Sequence, residues 1–175
     1  MSNLQMSKVQ KLVYLSLLCA LALVIYIIEL QIPPLAPIPG LKLGLANMVS
    51  LAVLILYGPK EALTVLILRI FLGSFITGKV SSLLFSLAGG LLSNIGMIIL
   101  YQYARKYINI WLISIIGSIL HIIGQLTIAV LITHTPGIFF YAPFLLISSI
   151  ITGYFIGLGA CLLYTSDAAD DSLRV

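Results

Sequence analysis

Arg69 stands in the middle of an apolar run, Val65-Leu-Ile-Leu-Arg-Ile-Phe-Leu72. An arginine at the centre of a bilayer costs about 2.5–3.5 kcal/mol on insertion scales, so it faces a bundle interior or a wet cavity and takes a partner. Its guanidinium stays charged and presents donors in a fixed fork. The chemistry this suggests is capture of a carboxylate or phosphate. The alternative is an arginine pinned by Glu29 or by backbone carbonyls. At matching depth in the other apolar runs stand Asn94, His121 and Gln125, all neutral. Glu29, at the outer end of the first run, is the acid that a flexed side chain could bring to Arg69.

Lys42 and Asn47 form a second feature, in Pro39-Gly-Leu-Lys-Leu-Gly-Leu-Ala-Asn47. Lys42 is expected where a second helix starts. Free N–H groups and the helix dipole favour an anion there, and an ammonium adds to that. The other reading is a lysine snorkelling to lipid headgroups. Asn47 lies deeper and suits either a helix neighbour or a ligand. His121 and Gln125 are four apart and share a helix face. A membrane histidine can be a proton relay, a ligand contact or a hydrogen-bonded packing residue. His134 belongs to an outer loop, so no metal-ligand spacing exists, and neither a metal nor a cofactor is expected. Glu29, Lys42, Asn47, Arg69, Asn94, His121 and Gln125 are therefore the candidate binding residues.

Catalytic motifs are missing. There is no G-x-x-x-x-G-K-[ST] phosphate loop for ATP and no nucleophile elbow. Before residue 161 no paired aspartates could hold Mg²⁺ on a diphosphate. The chain is not expected to be an enzyme, and nothing in it points to nucleic acid.

These residues must be positioned by helices in lipid. Apolar residues make up 61% of the 175-residue chain and charged ones 8%, with mean hydropathy +1.20. Soluble domains carry about 25% charged residues, so lipid is the solvent for most of this surface. A span needs about 20 apolar residues. Runs of that kind cover Lys11–Leu30, Leu41–Tyr57, Glu61–Thr77, Val80–Tyr101 and Ile108–Ile132, with a sixth beginning between Ile138 and Ala142. The expected fold is an all-α membrane bundle of about six transmembrane helices. Pro33–Gly40, with four prolines, is expected to be a stiff extended loop.

Basic residues set orientation. With the N-terminus inside, the inner side holds Lys8, Lys11, Lys60, Arg105 and Lys106, and the outer side Lys42 and Lys79. That predicts an N-in/C-in, multi-pass protein of the cytoplasmic membrane. Small residues four apart, such as Ser16/Ala20, Ser86/Gly90 and Gly153/Gly157, are expected to pack helices closely, some of them against another membrane subunit. Phe139, Phe140 and Tyr141 fit an aromatic belt or the outer mouth of a cavity. Cys19 and Cys161 suggest no disulfide framework.

The first ten residues from Cys161, Cys-Leu-Leu-Tyr-Thr-Ser-Asp-Ala-Ala-Asp170, match one reading frame of a common transposase sequencing adapter. Residues 1–160 are accordingly expected to form the transmembrane domain, and 161–175 to be adapter read-through.

Several runs taken together carry a family resemblance: Ala20-Leu-Ala-Leu-Val24 with Glu29, Ile32-Pro-Pro-Leu-Ala-Pro-Ile-Pro-Gly-Leu-Lys-Leu-Gly-Leu-Ala-Asn47, Tyr57-Gly58, Arg69-Ile-Phe-Leu-Gly73 and Phe85-Ser-Leu-Ala-Gly-Gly90. From about Leu17 to Ala160 the chain resembles the bacterial membrane family labelled heptaprenyl diphosphate synthase component I, also called the Gx transporter family. That family is similar to the substrate-binding S components of energy-coupling-factor transporters. The resemblance implies a six-helix bundle holding a small ligand near the outer face, capped by Pro33–Gly40. It also implies a transmembrane coupling subunit with ATPases as partners. The docking helix of such components often carries alanines four apart, where this chain has Ser16 and Ala20.

The leading expectation is an S-component-like binding subunit for a small anionic or amphiphilic molecule, for example a quinone or flavin precursor. The alternative is a non-catalytic accessory subunit that tethers a soluble prenyl diphosphate synthase.

Overall fold

An apolar segment in lipid can satisfy its own backbone as a helix, and all the regular structure described here is helical. The computed structural model describes residues 7–32, 42, 44–78 and 80–172, with side chains throughout except at 80, 81 and 163–172. Helix α1 spans Lys8–Glu29, α2 Asn47–Leu56, α3 Pro59–Thr77, α4 Val80–Tyr103, α5 Ile110–Thr133 and α6 Ala142–Ser172, with a 3₁₀ turn at Pro136–Tyr141 before α6.

Local chemistry sets the helix ends. Ser7 Oγ accepts from Gln10 N at 3.2 Å while Gln10 Oε1 accepts from Ser7 N at 2.9 Å, a reciprocal cap that starts α1. Gly58, at φ 105°, precedes Pro59 at the first turn of α3, and Gly78, at φ 65°, closes that helix.

Among the described residues four segments are long and apolar enough to cross a bilayer: Lys8–Glu29, Ser82–Tyr103, Ile110–Thr133 and Pro136–Leu162. The protein is an all-α membrane protein, with six α-helices among the described residues. The second span departs from expectation. A helix was expected from Leu41, yet α2 begins at Asn47 and has only 10 residues. At 1.5 Å per residue it is about 15 Å long, half of the roughly 30 Å hydrocarbon core. The reason is local. Gly44 adopts a left-handed φ of 79°, and residues 44–46 turn instead of winding. The short helix survives because protein surrounds it. Val49, Leu51, Val53 and Leu54 are buried with Cys19 and Ala22 of α1, Val65 of α3, Met97 of α4 and Ile113 of α5.

Helix α5 packs along both α4 and α6, and α3 packs on α4. Glycines permit the close approach. A Cβ on Gly124 would sit 2.8 Å from the Ala88 carbonyl oxygen, and one on Gly153 2.7 Å from the Ile115 Cα. The small-residue stripes of α4, α5 and α6 therefore serve contacts within the bundle. Ser16 and Ala20 differ: both are exposed, on an α1 face shared with Leu12, Val13 and Leu17. Lys11 and Glu61 pair at 2.5 Å, holding the starts of α1 and α3 at one end. Being partly exposed, that pair is worth about 0–1 kcal/mol. Phe140 is 90% exposed and its neighbours Phe139 and Tyr141 are also exposed, as suits a lipid-facing belt. The Pro33–Gly40 loop lies outside the described residues.

Gly124→Leu is expected to lower stability by about 1–3 kcal/mol, because the α4 backbone it would strike cannot step aside. Gly137→Ala, where the nearest atom is 3.9 Å away, is the neutral control. Thermal unfolding in detergent compares them.

Candidate functional site: a buried polar junction at the broken second span

The segment before α2 carries backbone amides that no helix satisfies. In a bilayer, irregular backbone persists only where protein supplies the partners. Here two side chains supply them. The Glu29 carboxylate accepts from the amides of both Gly44 and Leu45, the latter at 3.3 Å. Gln125 Oε1 accepts from the Lys42 amide at 3.2 Å. The turn then closes on itself, Asn47 N donating to Gly44 O at 2.9 Å and Met48 N to Leu45 O at 3.1 Å. Gly44 is required twice over: by its φ, and because a Cβ there would lie 2.8 Å from the His121 ring.

Two sequence readings are corrected by this arrangement. Lys42 is not at a helix start, since α2 begins five residues later. The anion-favouring amides near that start are occupied by an internal anion, Glu29. Lys42 does not snorkel either. It is buried, and Nζ donates to Tyr26 Oη at 2.8 Å, to Ser82 Oγ, and to Ser86 Oγ at 3.4 Å, while lying 4.0 Å from the Tyr26 ring centroid. Three neutral acceptors and an aromatic face thus take up one ammonium.

Asn47 joins four helices. Its Oδ1 accepts from Arg69 Nη2 on α3 at 3.5 Å, and its Nδ2 donates to Ser93 Oγ on α4 at 3.3 Å. The same Nδ2 lies 3.1 Å from His121 Nδ1 on α5. Arginine can only donate, which orients the asparagine amide with Oδ1 toward Arg69. Nδ2 must then donate to His121, so Nδ1 is unprotonated and the imidazole neutral, with its proton on Nε2. That nitrogen is buried and has no hydrogen-bond partner among the described residues.

Arg69 is 4% exposed and does not pair with Glu29; no ion pair joins them among the described residues, although their charges interact at longer range. Arg69 Nε has no hydrogen-bond partner among those residues, nor have Asn94 Nδ2 and Oδ1 or Gln125 Nε2. The structure thus ties Glu29, Lys42 and Gln125 to the broken segment, and Asn47, Arg69 and His121 to one another. Asn94 is buried on α4 without a partner in either set. Among the described residues no three His, Cys, Asp or Glu side chains gather as a metal site.

Sequence reasoning missed Tyr26 and Ser82 and read Ser86 as a small residue for close helix packing, within the bundle or against another subunit. A signal was present: Ser82, Ser86 and Ser93 recur at i, i+4 and i+11, one inward stripe of α4. Apart from this junction, a groove of about 190 Å³ runs between α1 and α2, lined by Tyr14, Leu17, Leu18, Leu21, Ala52, Leu56 and Tyr57. It is apolar and shares no residue with the junction.

The family model for heptaprenyl diphosphate synthase component I matches residues 18–163, a stretch that contains every residue of the junction. The chain belongs to this family. No curated protein and no solved structure matches the chain. The family name refers to a synthase, while the geometry above shows a neutral-acceptor cage around a lysine and an under-partnered arginine.

Asn47→Leu should destabilise the protein by about 1–3 kcal/mol, because it removes the one acceptor the buried Arg69 guanidinium has among the described residues. Adding Arg69→Leu removes that charge, so the double variant should unfold at a higher temperature than Asn47→Leu alone. If the double variant is the less stable of the two, Asn47 does not serve Arg69.

Proposed function

We propose that this component I protein is a non-catalytic membrane subunit that tethers a soluble prenyl diphosphate synthase at the bilayer surface and receives its lipidic product. The family match over 18–163 is the observation that carries this reading. Prenyl products are insoluble in water, so a synthase gains from a partner already embedded in lipid. The docking end would be the one bearing Lys8, Lys60, Arg105 and Lys106. Helix alternation brings these to one side of the bundle, and the Lys11–Glu61 pair ties α1 and α3 there. By the positive-inside rule that end is cytoplasmic, which gives N-in/C-in orientation in the cytoplasmic membrane. Burial of Lys42 removes it from the outer tally and sharpens the asymmetry.

A second reading, an S-component-like subunit for a small anionic or amphiphilic ligand such as a quinone or flavin precursor, is favoured by a different observation. Among the described residues Arg69 Nε is buried without an acceptor, and Asn94 and Gln125 hold further unfilled hydrogen-bonding groups. Such a subunit would work with a coupling subunit and ATPases, since the chain has no nucleotide motif.

Affinity purification of the protein in mild detergent, with mass spectrometry of its companions, separates the readings. A soluble prenyl synthase is the expected companion; ATPase and coupling subunits in its place would establish transport instead. Charge reversal at the docking end, Lys60→Glu with Lys106→Glu, should reduce synthase capture at least about tenfold and leave the unfolding temperature unchanged.

A further inference from the structure

Three charged side chains are buried among the described residues: Glu29, Lys42 and Arg69. His121 is neutral by the hydrogen-bond polarity set out above. Counted in their ordinary ionic forms, the three give two cations and one anion, an excess of one positive charge. Uncompensated charge in a low-dielectric interior costs several kcal/mol per ion. The excess can be assigned to a residue. Lys42 has three acceptors and Glu29 has two amides. Arg69 has one long contact, from Nη2 to Asn47 at 3.5 Å, and an empty Nε–H. Nε and Nη2 share the side-on edge of a guanidinium, the edge that matches the two oxygens of a carboxylate.

We propose that Arg69 binds a single carboxylate of a small organic molecule, and that this buried junction does not accept a diphosphate. One carboxylate brings the interior charge to zero. A phosphate monoester already carries about −1.5 to −2 at neutral pH, and a diphosphate carries more, so either would replace an excess of positive charge with an excess of negative charge. The diphosphate end of a prenyl product therefore has to sit elsewhere, at the basic surface of the bundle. The unfilled amide groups of Asn94 and Gln125, 1% and 0% exposed, are the neutral polar groups available to the rest of the ligand. This inference rests on reading the junction as a ligand site and is independent of which soluble partner docks.

The test uses the purified full chain in detergent at constant ionic strength. Its unfolding temperature is measured against sodium acetate, butyrate and benzoate, and against isopentenyl diphosphate and inorganic diphosphate. A saturable rise with at least one carboxylate, absent with both diphosphates, is the expected result. Arg69→Gln should abolish it, and Arg69→Lys, which keeps the charge but loses the fork, should raise the half-saturating concentration at least about tenfold. If the Arg69 variants do not fold, Asn94→Leu serves, with the same carboxylate expected to bind several-fold more weakly. Saturation by a diphosphate with none by carboxylates would overturn the monoanion class while leaving a ligand site in place. No saturable shift with any probe would overturn the ligand-site reading itself.

Discussion

Backbone that leaves a helix inside a bilayer must be hydrogen-bonded by the protein around it. That constraint organises this molecule. The amides of Lys42, Gly44 and Leu45 precede a helix only half as long as the hydrocarbon core, and they are met by Glu29 and Gln125. A carboxylate and an amide buried in the membrane would each be a liability alone. Here each serves as the capping group for a break that could not otherwise persist. The same break turns Lys42 inward, and the serine stripe of α4 with Tyr26 of α1 accommodates its ammonium.

A chain of fixed polarities follows from the one group that cannot change its protonation. Arg69 donates, so Asn47 Oδ1 accepts; Asn47 Nδ2 therefore donates, and His121 accepts and is neutral. Four helices meet through that single amide. The bundle can bring them so close because glycines on α4 and α5 allow backbone to meet backbone or ring, as at Gly89 beside His121 and Gln125. Packing and polarity are thus one arrangement: a larger side chain at Gly89 or Gly124 would separate the donors from their acceptors as well as the helices.

The exposed apolar α1 face and the paired Lys11 and Glu61 place the outermost helix where lipid or another subunit would meet it. The polar junction sits on its opposite side, with Tyr26 and Glu29 facing inward from the same helix. A protein built this way keeps its charged interior away from the surface on which a membrane partner would rest, and its basic end separate from both. Accessory and binding roles would then use different parts of the fold.

Much of this could be read from residue order. The paucity of charge required lipid, and the apolar runs placed every helix but the second to within a few residues because a span must satisfy its own backbone. Arg69, alone in an apolar stretch, announced a buried polar site; Asn94, His121 and Gln125 were drawn in by depth, Glu29 as the acid within reach, and Asn47 with Lys42 by its place before the second helix. Pairing was decided only in three dimensions. Depth could not reveal that Glu29 would reach the Gly44 and Leu45 amides in preference to Arg69, because that depends on Gly44 taking a left-handed turn and making the second helix start late. Nor could it reveal that Lys42 would be caged by Tyr26 and Ser82, residues 16 and 40 positions away. Helix periodicity fixes which residues share a face; which faces meet, and so which donor finds which acceptor, is set by the close approach of helices that glycine and serine permit.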